Sequence, residues 1–99
     1  MNLANQIDYT ENGIVSKILM KETSGSLTLF AFDKGQSLSP HQSPLEAYIC
    51  LLEGKARITI GDSVHELQAG ESVSLPTGID HAVEALEPFK MLLFMLAKS

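Results

Sequence analysis

Tryptophan is absent, cysteine occurs once, and the seven Lys and Arg residues are outnumbered by twelve Asp and Glu, for a net charge of −5. A single cysteine, Cys50, excludes an internal disulfide framework and suits a reducing compartment. The scattered basic residues form no stripe that could neutralise a phosphate backbone, so nucleic-acid binding is not expected. Long apolar runs are also missing. The longest, Met91 to Ala97, has seven residues, where a helix needs about 20 to cross a bilayer. The first Lys is Lys17, and Asn2, Asn5, Gln6, Asp8 and Glu11 interrupt any apolar core that a signal peptide would need. These absences together predict a cytoplasmic protein without a membrane partner.

Apolar residues make up 44% and charged residues 19% of the 99 positions, ordinary for one small globular domain and incompatible with disorder. Residues 1–13 are polar and aperiodic and read as an N-terminal arm that closes at the Asn12-Gly13 turn, leaving 14–99 as a single domain. Beyond residue 13 helical periodicity is lacking. Short apolar segments follow one another instead: 14–20, 27–32, 45–52, 56–60, 64–68, 72–75, 81–86 and 90–96, punctuated by Gly, Pro, Asp and Ser. This pattern predicts an all-β closed or double-sheet architecture.

Two spacings stand out, Gly35-x5-His41-x-Ser43 running on to Gly54, and Gly70-x5-Pro76-x-Gly78-x2-His81. Each is expected to frame a hairpin and to deliver one histidine near the start of a strand, so that the two imidazoles converge. Period-two alternation puts Ala47, Ile49 and Leu51 on one face of their strand and Glu46, Tyr48, Cys50 and Leu52 on the other. Val83 and Ala85 fall on the side of His81.

The pattern resembles the cupin family, whose motifs read G-x5-H-x-H-x3,4-E-x6-G and G-x5-P-x-G-x2-H-x3-N. Gly35, His41, Gly54, Gly70, Pro76, Gly78 and His81 match, while Ser43, Ala47 and Ala85 stand where the family has its second histidine, its acidic ligand and its asparagine. The resemblance implies a double-stranded β-helix, the jelly-roll cupin barrel. It also implies a divalent transition metal (Fe, Mn, Ni, Cu or Zn) at His41 and His81, at low occupancy or none because two of the family's four ligands are gone. A catalytic zinc usually keeps three protein ligands, and non-haem iron uses two His and a carboxylate. Glu46 is the candidate third donor if the loop containing Pro44 shifts the strand register. If the family's registration holds, Ser43, Ala47, Ile49, Val83 and Ala85 line the ligand pocket.

The expected function is a small-molecule binding barrel that uses His41 and His81, with a metal-dependent dioxygenase or isomerase and a non-catalytic structural or regulatory dimer as the alternatives. Cys50 reads as a buried small hydrophobe and His65, next to the Gly61-Asp62-Ser63 turn, as a surface residue. Strands 27–32 and 90–96 are apolar on both faces. A barrel this small has one interior, so a homodimer is expected to cover the surplus.

Overall fold

In the computed structural model, which describes residues 2–97, alternation of apolar and polar side chains is realised as nine strands among the described residues. They are β1 (Ile14–Glu22), β2 (Gly25–Phe32), β3 (Ser37–His41), β4 (Glu46–Glu53), β5 (Lys55–Ile60), β6 (Ser63–Gln68), β7 (Ser72–Leu75), β8 (His81–Ala85) and β9 (Phe89–Leu96). The outer ends of the arm and barrel boundaries, residue 1 and residues 98 and 99, lie outside the described residues.

The strands form a five-stranded sheet in the order β1-β2-β9-β4-β7 and a four-stranded sheet in the order β3-β8-β5-β6. All pairings are antiparallel. The two inner faces enclose the core, in which Phe32 and Phe89 stack with centroids 4.5 Å apart. Ile49, Leu51 and Ile58 are fully buried around them. This is a jelly roll, as the resemblance implied.

The glycine-framed segments are not hairpins. β4 pairs with β7 and β9, whereas β5 pairs with β6 and β8, so the chain leaves one sheet and enters the other at Gly54. Gly54 has φ of +83°, and a Cβ there would run into the Pro88 carbonyl oxygen and stand 2.6 Å from the Phe89 Cα. Only glycine suits so tight a corner. β3 and β4, and β7 and β8, are likewise divided between the sheets.

On the outer face of the five-stranded sheet the arm takes part in the fold. Residues Leu3–Gln6 form a 3-10 turn, and Ile7 is buried against Leu29 and Ala31. The other half of that face is bare. Registers align Met20 with Leu27, Leu27 with Phe94, and Phe94 with Tyr48, an apolar row across four strands. Met20, Tyr48 and Phe94 in this row are exposed. The surplus apolar surface seen in the sequence is thus partly covered by the chain's own arm.

Two smaller expectations need correction. Cys50 is half-buried on the outer face, because β4 alternates and its inward positions are Ala47, Ile49 and Leu51. His65 is half-buried, opposite fully buried Ile58 in the ladder, since β6 turns its odd positions inward.

Candidate functional site

His81 opens β8, but His41 ends β3 rather than starting a strand, and the two are ladder partners. Leu38 pairs with Val83 and His41 with His81, so β3 uses three steps where β8 uses two. This bulge holds Pro40, which has no N–H to give to a ladder. Without the extra residue, period two would put His41 on the face opposite Leu38 and away from His81. The bulge turns it back toward its partner.

The Nε2 atoms of His41 and His81 lie 3.1 Å apart, with the rings tilted at 66°. His41 Nδ1 is 2.9 Å from the Ser39 carbonyl, which can only accept, so Nδ1 carries the proton and Nε2 offers a lone pair. His81 Nε2 must then donate. Its Nδ1 is buried and makes no hydrogen bond of good geometry, although the Ile79 backbone acts on the ring. His81 is 5% exposed, and burial holds its imidazole below its ordinary pKa, reinforced by His41 and opposed by the Ile79 carbonyl and the Asp80 carboxylate. His41 is exposed at the rim.

Beside the pair opens a cavity of about 220 Å³. Ala47, Leu75, Leu93 and Met95 supply an apolar wall, and His41, Gln42, Ser43, Pro44 and His81 complete it. Gln42 Nε2 donates to Asp80 Oδ1 at 3.0 Å, tying the loop after β3 to the loop before β8. The Ser43 hydroxyl donates to the Leu45 carbonyl and accepts from the Leu45 amide, so it shapes the loop and has no donor left for the cavity.

Of the residues singled out from sequence, His41, His81, Ser43 and Ala47 meet at this cavity. Ile49, Val83 and Ala85 face inward but belong to the packed core, outside the cavity lining. Glu46 is exposed on the outer face beside Tyr48, Phe94 and Leu96, because its strand keeps the regular alternation and Pro44 does not shift it. Sequence reasoning missed Gln42, Pro44, Leu75, Leu93 and Met95. The last three come from β7 and β9, and only the sheet order brings those strands to β4.

The donor set falls short of a resident metal. No group of three or more His, Cys, Asp or Glu side chains gathers among the described residues. A metal-ligating histidine almost always donates its other N–H to an acceptor, which orients the ring. His41 has such an acceptor in Ser39, whereas His81 Nδ1 makes no hydrogen bond of good geometry. The two rings bond to each other instead.

A family model described as a cupin domain matches residues 28–95. Among solved structures, a conserved protein of unknown function from Streptococcus pyogenes is 31% identical, with a TM-score of 0.94 over 100% of this chain and 87% of that one. A cupin 2 conserved barrel domain protein from Leptotrichia buccalis is 39% identical with a TM-score of 0.93, and 98% of this chain aligns with 47% of that longer one. A cupin superfamily protein from Desulfitobacterium hafniense is 28% identical, with a TM-score of 0.94 over 99% and 90% of the two chains. No curated protein matches.

Proposed function

This chain belongs to the cupin family, and we propose that it is a binding barrel that takes a small organic molecule into the cavity beside His41 and His81 without a resident metal. The self-bonded imidazole pair at the rim of an apolar cavity carries this reading. Ligand sites commonly combine an apolar wall with a few oriented polar groups. Alanine at position 47 leaves space where a carboxylate side chain would add both bulk and charge. A cavity of about 150 Å³ accepts benzene, so about 220 Å³ suits one ring or a short branched chain bearing a polar group. The ligand's apolar body would lie on Leu75, Leu93 and Met95, with its polar end at the histidines.

The working form we propose is a cytoplasmic homodimer. The exposed row Met20, Leu27, Phe94 and Tyr48 supports the dimer, and the free Cys50 suits a reducing compartment. No helix among the described residues is long and apolar enough to cross a membrane.

A thermal-shift screen of small metabolites in the presence of a chelator tests the binding reading. A ligand that binds only the folded state raises the melting temperature. The expected hit stabilises the chelated protein and loses its effect when Ala47→Phe fills the cavity. Stabilisation that appears only after a transition metal is restored would favour the metal-dependent oxygenase or isomerase reading.

A further inference from the structure

The four-stranded sheet carries a second hollow on its outer face. Along β8, Ala82 and Glu84 point away from the core that His81, Val83 and Ala85 face, and along β5 Arg57 and Thr59 do the same. Registers align Ser37 with Glu84, Glu84 with Arg57, and Arg57 with Glu66, a polar row across all four strands. One step along, Ala82 lies opposite Thr59, and the bulge that carries Ser39 and Pro40 stands beside them. Two short side chains between taller neighbours leave a trough of about 310 Å³, larger than the cavity beside the histidines. It runs on past Ala82 and Thr59 to Gly61 and Asp80.

We propose that this trough is a binding site for a neutral saccharide, separate from the cavity beside His41 and His81. Every hydroxyl of a sugar is donor and acceptor at once, and the trough supplies both partners. Arg57 brings N–H donors, Glu84 brings carboxylate acceptors, and the hydroxyls of Ser37, Ser39 and Thr59 act either way. Among the described residues those three hydroxyls take no partner of their own, unlike Ser43, whose hydroxyl is bonded within its loop. Arg57 Nη1 donates to Glu84 Oε1 at 3.0 Å, and Arg57 Nη2 lies 3.5 Å from Glu66 Oε1. These contacts orient the guanidinium and leave Glu84 Oε2 and the remaining Arg57 N–H groups for charge-assisted bonds to a ligand. The Pro40 ring and the methyl groups of Ala82 and Thr59 give an apolar floor for the C–H face of a sugar.

Charge selects against the other ligand classes. Arg57 is matched by Glu84 and faced by Glu66, so an anion would meet two carboxylates for one guanidinium. An organic cation would compete with Arg57 for the same carboxylates. An apolar molecule would strip water from the ion pair without replacing its hydrogen bonds, which costs free energy. A neutral polyol replaces that water and leaves the pair intact.

Titration of the whole isotope-labelled protein, followed by its amide chemical shifts, tests the site with glucose, galactose, mannose and lactose, and with glucuronate as an anionic counterpart. At least one neutral sugar is expected to move the amides of Ser39, Thr59, Ala82 and Glu84 saturably and to leave those of Ala47, Leu93 and Met95 in place. Thr59→Val, which keeps the shape and removes one hydroxyl, should weaken that sugar about two- to tenfold. Ala82→Leu, which fills the trough from outside the core, should abolish its binding, while the unchanged remainder of the spectrum reports an intact barrel. No saturable shift with any of the sugars would overturn the assignment. Shifts centred on Ala47 and Met95 would place the sugar in the barrel cavity and overturn the trough. Tighter binding of glucuronate than of glucose would overturn the neutral class.

Discussion

Lys90 Nζ sits 5.0 Å from the centre of the Tyr9 ring and 2.6 Å from the Ala4 carbonyl, pinning the N-terminal arm to the outer face of the five-stranded sheet. Glu53 Oε2 completes the cluster, accepting from the Tyr9 hydroxyl at 2.7 Å and lying 3.8 Å from Lys90 Nζ. Burial, followed by the hydrogen bond and the charge of Glu53 and then the charge of Asp33, pushes the Tyr9 hydroxyl well above the usual tyrosine range. A group raised on folding stabilises the fold below its unfolded pKa and loses that contribution as the pH climbs. Tyr9→Phe should cost about 1 kcal/mol at pH 7 for the lost hydrogen bond. It should also remove part of the stability loss above pH ~10. Urea denaturation at pH 7 and in the alkaline range checks both.

The sign is opposite in acid. His81 is held below its ordinary value, so protons bind the unfolded chain more readily than the folded one. Its contribution is present above pH ~6.5 and fades as the pH falls toward its folded value. Denaturation midpoints of the native protein should drop between pH 7.5 and 5.5 more steeply than those of His81→Gln. Parallel curves would show that His81 titrates alike in both states.

Gly54→Ala should be severe. The left-handed backbone costs an alanine about 1–2 kcal/mol, and its Cβ would be driven into the strand carrying Phe89. Overpacking of that kind adds about 1–3 kcal/mol. A fall in urea midpoint equivalent to about 2–5 kcal/mol is expected. Gly35, which also has positive φ but open space around its would-be Cβ, should lose only the backbone share on the same substitution.

The bare half of the outer sheet leads to a test of assembly. Light scattering at micromolar concentration should give twice the chain mass, and Phe94→Glu should halve it without altering the circular dichroism spectrum. Phe94 is 40% exposed and packs on the outer face, so the fold should survive the change. A native protein that is monomeric under these conditions would remove the dimer from the account.

Much of the barrel was legible in the sequence because a half-buried strand writes its faces with period two. Ala47, Ile49 and Leu51 alternate with Glu46, Tyr48 and Cys50, and burial follows that reading closely. Glycines and prolines marked the corners, but not which corners cross between sheets. A turn at Gly54 looks the same locally whether the next strand pairs back or leaves for the facing sheet. β3 was overlooked for a related reason: Ser37, Ser39 and Pro40 give it little apolar character, and its pairing depends on β8, distant in sequence. The convergence of His41 and His81 was foreseen from motif spacing, while the bulge at Pro40 that accomplishes it was not. The cavity wall from β7 and β9 was beyond reach, since it follows from strand order rather than from any local pattern.

Elemental analysis of protein purified without chelator tests the central claim most directly, namely that two self-bonded imidazoles replace a metal centre. Iron, manganese, nickel, copper and zinc together should fall far short of one equivalent per chain, because two imidazoles are fewer than the three protein ligands that a bound metal usually keeps. One equivalent of a single metal per chain, lost on His81→Gln, would contradict the account.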